Sequence, residues 1–210
     1  MFRNLYLSPL GYIISGFLHL LSWVHKPFMV YGYYNNKTKT FQKLTRISSS
    51  AKLLDKKHVD LADNIWIGHY SLLDGTGGLS IGEGVQISSH TVIYTHSSQD
   101  AIRMMGKHYI KEEATKRLVY KLKAVKIGEY TFVGTSSIIL PGAVIGKGCI
   151  IGAGSLVNGL IPDYTIAQGN PIKIIGDTRE RDKSRFADKI DLGKYYDPQA
   201  LTGEVPGFLR

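Results

Sequence analysis

The stretch IGEYTFVGTSSIILPGAVIGKGCIIGAGSLV, residues 127–157, decides the fold. A branched aliphatic residue recurs in it at every sixth position, and glycine follows most of these residues. The six aliphatic positions are Ile127, Val133, Ile139, Ile145, Ile151 and Val157. An α-helix repeats about every 3.6 residues and a strand about every 2, so neither explains this spacing. The pattern predicts a chain wound into short strands with regular corners.

The same spacing occurs nearer the amino terminus, at Leu61, Ile67, Leu73, Ile81, Ile87 and Ile93. Three six-residue units form one triangular coil, and the first residue of each unit points into a narrow interior that suits aliphatic side chains. The fold class is therefore predicted as all-β, a parallel β-helix of about five to six coils over residues 41–176. Extra residues before Leu61, Ile81 and Ile127 predict two-residue bulges, which are placed at Val59-Asp60, Leu79-Ser80 and Val125-Lys126.

Composition limits the classes of function. The 210 residues carry a formal net charge of +9 and a single cysteine, Cys149, so a disulfide scaffold or a multi-cysteine metal site is excluded. The basic excess lies in the first 60 residues and in a loop of residues 97–124, which carries no repeats and contains His108. It suggests anionic partners such as phosphorylated ligands or a membrane surface. No nucleic-acid-binding motif is present, and no nucleic acid partner is expected.

Two terminal segments flank the repeats. Residues 1–40 are predicted as an apolar and basic helical arm, and residues 177–210 as a charged tail. Residues 4–25 have no formally charged side chain and carry their aliphatic residues at helical spacing. Three alternatives stay open for this helix: packing on protein, lying on a membrane surface, or spanning a bilayer.

The repeats resemble those of the hexapeptide-repeat acyltransferases, which fold as left-handed parallel β-helices. Residues 127–157, followed by Gly169-Asn170-Pro171, are similar to the carboxyl-terminal half of that family. The segment IGEGVQISSHTVIYTH, residues 81–96, resembles the active-site coil of the maltose and galactoside O-acetyltransferases. The terminal arms loosely resemble those of polysaccharide-cluster O-acetyltransferases. Where relatives often carry lysine in a V-T-K-D motif, this chain reads Val157-Asn158-Gly159-Leu160, which removes one usual phosphate contact.

This resemblance implies acetyl-CoA as donor substrate, no metal requirement, and a homotrimer with active sites between neighbouring subunits. Acetyl transfer to a hydroxyl needs a base, and a neutral histidine suits that role at neutral pH. His96 is the candidate catalytic base, because it lies where the loop leaves the coil and because it matches the catalytic histidine of the family. Asp74, on the preceding coil, is the candidate partner that orients it, and the rivals for this role are Asp100, Glu112 and Glu113.

The donor-binding residues follow from the resemblance. Ser137 and Ser155 are expected near the pantetheine arm, mostly through backbone groups, and Lys173 is placed to meet a phosphate. His69 and His90 share a face on adjacent coils and are candidates for substrate or interface contacts. Cys149 occupies an inward position of its repeat and is expected to be buried rather than nucleophilic, so direct transfer is predicted.

The predicted function is an acetyl-CoA-dependent O-acetyltransferase that modifies a sugar hydroxyl of a bacterial surface polysaccharide or its precursor. One alternative is an N-acetyltransferase of an amino nucleotide sugar. A less favoured alternative is a zinc hydratase of the carbonic anhydrase type, in which His69, His90 and His96 would meet across a subunit boundary. The expected location is the cytoplasm, and contact of residues 4–25 with the inner face of the membrane is one of the three alternatives left open for this helix.

Overall fold

The computed structural model describes residues 8–24, 26–195 and 197–202. The chain begins with helix α1 (Pro9–Val24) and an antiparallel hairpin of β1 (Met29–Asn35) and β2 (Thr40–Ser48). Beyond β2 it forms three ladders of very short strands that are parallel from one coil to the next. The fold is the expected left-handed parallel β-helix, with five strands in two of its ladders.

The stacked coils form a triangular prism, and each of its three faces is one β-sheet. The first contains β1, β2, β5 (Trp66–Ile67), β8 (Gln86–Ile87), β13 (Phe132–Val133), β16 (Ile150–Ile151), β19 (Thr165–Gln168) and β20 (Lys173–Asp177). The second contains β3 (Lys52–Leu54), β6 (Leu72–Asp74), β9 (Val92–Ile93), β14 (Ile138–Ile139) and β17 (Leu156–Val157). The third contains β4 (Val59–Leu61), β7 (Leu79–Ile81), β12 (Val125–Ile127), β15 (Val144–Ile145) and β18 (Leu160–Ile161).

The core is the column of aliphatic residues that the six-residue period predicts. All twelve of these side chains are buried, and the most exposed, Ile127, shows only 3% of its surface. Burying each such side chain contributes about 1.5–3 kcal/mol. The glycines after them let the coils approach closely: a Cβ on Gly134 would lie 2.5 Å from the backbone nitrogen of Ala153 on the next coil. The predicted interior is confirmed.

The predicted bulges are wrong. Val59, Leu79 and Val125 pair in register across β4, β7 and β12, and all three side chains are buried. The additional residues lie instead in the corner between the second and third sheets, where the chain turns through residues 55–58 on one coil and 75–78 on the next. Burial explains the error, because an apolar residue two positions before each core residue also faces inward.

The excursion loop leaves at this same corner. It begins with β10 (His96–Ser97), continues through helix α2 (Gln99–Met105) and 3-10 turns at Gly106–Lys111 and Ala114–Lys116, and returns through β11 (Lys121–Leu122). Strands β10 and β11 pair antiparallel, with His96 opposite Leu122. The loop therefore starts and ends beside the same coil.

The terminal segments have their own structure. The helix predicted within residues 4–25 is present as α1, and its apolar residues Leu10, Ile13, Phe17 and Leu20 are exposed. Within the described ranges, no helix has both the length and the apolar character needed to cross a bilayer. The carboxyl-terminal segment forms α3 (Thr178–Phe186), α4 (Leu192–Tyr195) and α5 (Pro198–Thr202). Asp197 connects it to the corner between the third and first sheets by accepting hydrogen bonds from Tyr164 (2.7 Å) and Lys147 (3.3 Å).

Candidate active site

The enlarged corner between the second and third sheets brings His96 and Asp74 together. Asp74 ends β6, and His96 follows β9 on the next coil, so parallel stacking sets the two residues side by side. Nδ1 of His96 lies 2.7 Å from Oδ2 of Asp74. The carboxylate is fully buried, whereas the imidazole retains 27% of its side-chain exposure. The pair therefore consists of a partly exposed histidine that is hydrogen-bonded to a buried aspartate.

Asp74 is held by a dense set of donors. The backbone N–H and hydroxyl of Thr76 donate to Oδ1, and the backbone N–H and hydroxyl of Thr95 donate to Oδ2. Burial on its own would raise the pKa of Asp74, but the hydrogen bonds from Thr76 and Thr95 outweigh it and hold the pKa well below its ordinary range. The carboxylate is therefore ionised at neutral pH and can only accept hydrogen bonds.

The ionised carboxylate decides which nitrogen of His96 carries the proton. Because Asp74 cannot donate, Nδ1 of His96 must carry hydrogen and donate to Oδ2. Nε2 of the neutral ring is then left with a free lone pair. This tautomer is the one that a general base requires.

Two aromatic rings border the imidazole. The ring of Tyr120, just before β11, stacks on His96 with centroids 5.9 Å apart and planes inclined by 16°. The ring of Tyr94 meets it edge-on at 5.6 Å. They restrict the rotation of the imidazole on two sides.

Two clefts lie along the same corner. The one towards the later coils has a volume of about 510 Å³ and is lined by His96, Tyr94, Lys123, Gly142 and Asn158, among others. The one towards the earlier coils has a volume of about 470 Å³ and is lined by Lys37, Lys57, His58, Thr76, Gly77, Gly78 and Leu122. Leu122 pairs with His96 across β10 and β11. Leu122 lines the earlier cleft and His96 lines the later one, so the two clefts lie on opposite sides of this strand pair along the axis of the β-helix.

Comparison with known proteins agrees with this fold. Residues 124–159 match the family model of the bacterial transferase hexapeptide, described as six repeats. Residues 124–159 therefore consist of bacterial transferase hexapeptide repeats, and we refer to the β-helix that contains them as the hexapeptide domain. This confirms the resemblance inferred from the repeats.

Relatives of the hexapeptide domain include acyltransferases. The chain is 31% identical over 116 residues to WbbJ of Escherichia coli (strain K12), provisionally named as a lipopolysaccharide biosynthesis O-acetyl transferase; the match covers 54% of this chain and 58% of that protein. The chain thus spans less than two thirds of that relative. It is 29% identical over 143 residues to the dTDP-4-amino-4,6-dideoxy-D-glucose acyltransferase of Escherichia coli, covering 68% of this chain and 69% of that protein.

A solved structure shares the fold. AntD, an N-acyltransferase from Bacillus cereus crystallised with dTDP and 3-hydroxybutyryl-CoA, superposes with a TM-score of 0.54. The sequence identity is 23%, and the superposition covers 69% of this chain and 85% of AntD. At this identity the likeness establishes the fold of the hexapeptide domain.

The rival partners of His96 are engaged elsewhere. Asp100 binds Lys121, with 2.6 Å between Oδ2 and Nζ, and this lysine lowers the pKa of Asp100. Glu113 pairs with Lys116 at 3.1 Å. Glu112 is exposed in the same part of the loop, where its backbone carbonyl accepts a hydrogen bond from Arg117, and its carboxylate does not contact His96. Of the four candidates, the hexapeptide domain brings only Asp74 to the imidazole.

His69 and His90 lie apart from this pair, at the corner between the first and second sheets. Nδ1 of His69 is 2.7 Å from the hydroxyl oxygen of Ser48, and the ring of Tyr70 lies between the two histidines, with its centroid 5.2 Å from that of His90. Over residues 8–24, 26–195 and 197–202, no cluster of three or more His, Cys, Asp or Glu side chains could hold a metal ion.

The predicted donor-binding residues differ in accessibility. Ser137 and Ser155 are buried, and their hydroxyls donate to Gly134 and Gly152, so any ligand contact there falls to backbone groups. Lys173 is exposed at the start of β20. Cys149 is buried, and burial raises the pKa of its thiol to about 11, so the thiol is protonated and shielded at neutral pH.

Sequence reasoning missed three residues of the site. Thr76 and Thr95 hold Asp74, and Tyr120 covers His96. The threonines carried a signal, since each is within two residues of a predicted site residue and polar residues in a buried corner need partners. Tyr120 carried none, because it lies 24 positions from His96 in a loop without a repeat.

Proposed function

We propose that the protein is an acetyl-CoA-dependent O-acetyltransferase that transfers the acetyl group directly to a sugar hydroxyl. The observation that carries the proposal is the His96–Asp74 pair, with Nδ1 and Oδ2 2.7 Å apart, between two clefts of a hexapeptide domain. The acyltransferases among the relatives support the reaction class.

The proton balance follows from the tautomer of His96. Nε2 accepts the proton of the acceptor hydroxyl as its oxygen attacks the thioester carbonyl, which forms the new C–O bond. Asp74 stabilises the resulting imidazolium across the 2.7 Å contact. When the tetrahedral intermediate collapses, the C–S bond breaks and the imidazolium returns the proton to the coenzyme A thiolate. His96 acts as the catalytic residue, and Asp74 as its positioning residue.

The two clefts adjoin the pair of His96 and Leu122, and each substrate takes one of them. We assign the donor to the cleft along the later coils, which His96, Lys123 and Asn158 line. Ser137 and Ser155 lie at the corner between the first and second sheets and Lys173 lies in the first sheet, so their proposed donor contacts would come from a neighbouring subunit.

The acceptor then occupies the earlier cleft, whose lysines Lys37 and Lys57 pair with Asp60 at 3.0 Å and with Asp55 at 3.9 Å. The provisional name of WbbJ supports a bacterial surface polysaccharide or its precursor as the acceptor class.

An amine acceptor on a nucleotide sugar is the second candidate. It is favoured by the relative that acts on dTDP-4-amino-4,6-dideoxy-D-glucose, with which the chain aligns over 68% of its length. The two candidates differ in their dependence on His96, since an unprotonated amine needs less help from a base than a hydroxyl does.

A homotrimer completes the proposed site. The second sheet carries an outward ladder of aliphatic side chains in register, formed by Leu72, Val92, Ile138 and Leu156. Ile138 is 43% exposed and the other three side chains are half-buried. Outward aliphatic stripes of this kind mark interfaces between subunits. The later cleft follows one edge of this sheet, so a neighbour packed on the stripe would form its missing wall. The proposed location is cytoplasmic, with residues 4–25 in contact with the membrane.

The test is release of coenzyme A thiol from acetyl-CoA with a panel of polysaccharides, amino nucleotide sugars and water alone. The proposal requires release that depends on a hydroxyl acceptor and falls sharply in His96→Ala. Release with amino nucleotide sugars that persists in His96→Ala supports the amine candidate. An absence of acceptor-dependent release across the panel contradicts both.

A further inference from the structure

The excursion loop places an aromatic face on the proposed base, and this face has a role of its own. Tyr120 stacks on His96 with an interplanar angle of 16°, and its ring centroid lies within the roughly 6 Å over which cations are attracted to aromatic faces. His96 becomes a cation only after it accepts the proton. An interaction that strengthens at that moment stabilises the transition state more than the ground state.

The loop is built so that Tyr120 stays in place. The Arg117 guanidinium donates to the backbone carbonyls of Tyr109 (3.2 Å) and Glu112 (3.0 Å) and to the Tyr109 hydroxyl (2.8 Å). Its Cζ lies 3.9 Å from the ring centroid of Tyr109, and the Tyr120 N–H donates to the Arg117 carbonyl. One arginine thus joins the middle of the loop to its returning end.

We infer that Tyr120 is a positioning residue for the proposed reaction: it fixes the plane of the His96 imidazole and stabilises the imidazolium through its ring face. The inference rests on the proposed function, since it needs His96 as the base. Burial raises the pKa of the Tyr120 hydroxyl, so the ring is uncharged at assay pH. The proposed role of Tyr120 requires the face of its ring but not its hydroxyl.

The charged groups around His96 are fixed in this comparison. Asp74 contacts Nδ1 from β6, Lys121 on β11 is paired with Asp100, and Lys123 lines the later cleft. The Arg117 guanidinium lies 5.9 Å from the ring centroid of Tyr120 and is held by its hydrogen bonds to Tyr109 and Glu112. Since Tyr120 is itself neutral, replacing it alters no formal charge near the imidazole. A shift in the pH profile then reports the lost ring face.

The experiment compares Tyr120→Leu, which removes the ring, with Tyr120→Phe, which keeps it. For Tyr120→Leu we expect kcat to fall about 3- to 30-fold with little change in KM for acetyl-CoA. We also expect the acid limb of kcat/KM to move about half a pH unit lower, because the imidazolium loses stabilisation. Tyr120→Phe should restore most of the rate and the original limb. Ile110→Ala, at a residue of the same loop that is 84% exposed, is the control and should resemble the wild type.

Three outcomes overturn the inference. They are wild-type kinetics for Tyr120→Leu, an unshifted acid limb, and a loss in Tyr120→Phe as large as that in Tyr120→Leu. If Tyr120→Leu does not fold, Tyr120→Met replaces it with the same expectations, since methionine fills space without a ring face. His96→Ala is measured in parallel. If it is inactive while Tyr120→Leu is normal, only this inference fails; if it is fully active, the proposed function itself fails.

Discussion

The buried carboxylate of Asp74 and the open imidazole of His96 meet at 2.7 Å, where two successive coils share an enlarged corner. Thr76 and Thr95 saturate the carboxylate with donated hydrogen bonds, and that keeps it ionised in a buried place. The ionised acid in turn fixes the proton of His96 on Nδ1. The tautomer of the proposed base is therefore a consequence of the corner, and it can be tested at each of its links.

Replacing the acid while keeping its shape tests the tautomer. Asp74→Asn can donate to Nδ1 through its amide and would then place the proton of His96 on Nε2, the wrong nitrogen for a base. We expect kcat to fall about 10²- to 10⁴-fold, with the coil intact by circular dichroism. Asp100→Asn is the control, since Asp100 pairs with Lys121 instead. Equal effects of the two variants would remove Asp74 from its proposed role.

The lowered pKa of Asp74 also predicts how stability depends on pH. Its folded-state pKa lies below the unfolded value of about 3.9. Its stabilising contribution is therefore complete above that value and is lost as the pH falls towards the folded-state pKa. Between about pH 5 and 2, thermal unfolding of the wild type should lose stability more steeply than that of Asp74→Asn. The exposed Asp188→Asn should follow the wild type, and parallel curves for all three proteins would contradict the prediction.

Replacing His96 by alanine tests the proposed catalytic base directly. His96→Ala should lower turnover about 10²- to 10⁴-fold, because proton transfer in the transition state contributes that much. Binding of coenzyme A, measured by calorimetry, should be retained. His108→Ala, in the exposed part of the same loop, should keep wild-type turnover. An active His96→Ala protein would assign the chemistry to another residue.

The repeat region was readable from sequence because one physical constraint acts on every coil. The interior is so narrow that Ile87 or Val133 has few alternatives, and this makes the period visible. The enlarged corners were misread because Leu79 and Val125 are as buried as the regular core residues. The spacing before Leu79 and Val125 did not indicate whether the additional residues belong to the strand or to the corner.

The site was only partly readable for a different reason. The junction between coil and loop pointed to His96, and stacking of adjacent coils pointed to Asp74 among four acids. The full set of hydrogen bonds from Thr76 and Thr95 to Asp74 could not be predicted, because two of the four come from backbone N–H groups whose direction a sequence does not display. The contact of Tyr120 with His96 could not be predicted from the sequence, because it depends on the path of a loop without repeats.

The aliphatic stripe on the second sheet predicts the assembly. Light scattering of the wild type should give the mass of a trimer, about three times the 23.3 kDa chain. Ile138→Asp places a charge in the middle of the stripe and should yield monomers with little turnover. Lys126→Asp changes an exposed outward residue of the third sheet and should remain trimeric. A wild-type monomer with full activity would show that one chain holds the complete site.

The amino-terminal helix predicts contact with anionic lipid. The apolar side chains of Ile13 and Phe17 are 71% and 59% exposed, and the first 60 residues carry nine basic and two acidic side chains. At about 1.5 Å per residue, the 16 residues of α1 extend about 24 Å, less than the roughly 30 Å apolar core of a bilayer. A helix of this length suits the plane of the interface, where each nearby lysine adds about 1 kcal/mol.

Flotation with liposomes separates this contact from packing on protein. The full chain should float with vesicles that contain anionic lipid and less so at high salt, because salt screens the basic residues. Phe17→Glu should abolish flotation, whereas Ser15→Glu, on the opposite side of α1, should reduce it only modestly. A variant lacking residues 1–25 keeps the hairpin of β1 and β2, and should stay trimeric and active without floating. If that variant instead dissociates or aggregates, or if the full chain never floats, the apolar side of α1 packs on protein, and the proposed membrane contact is wrong.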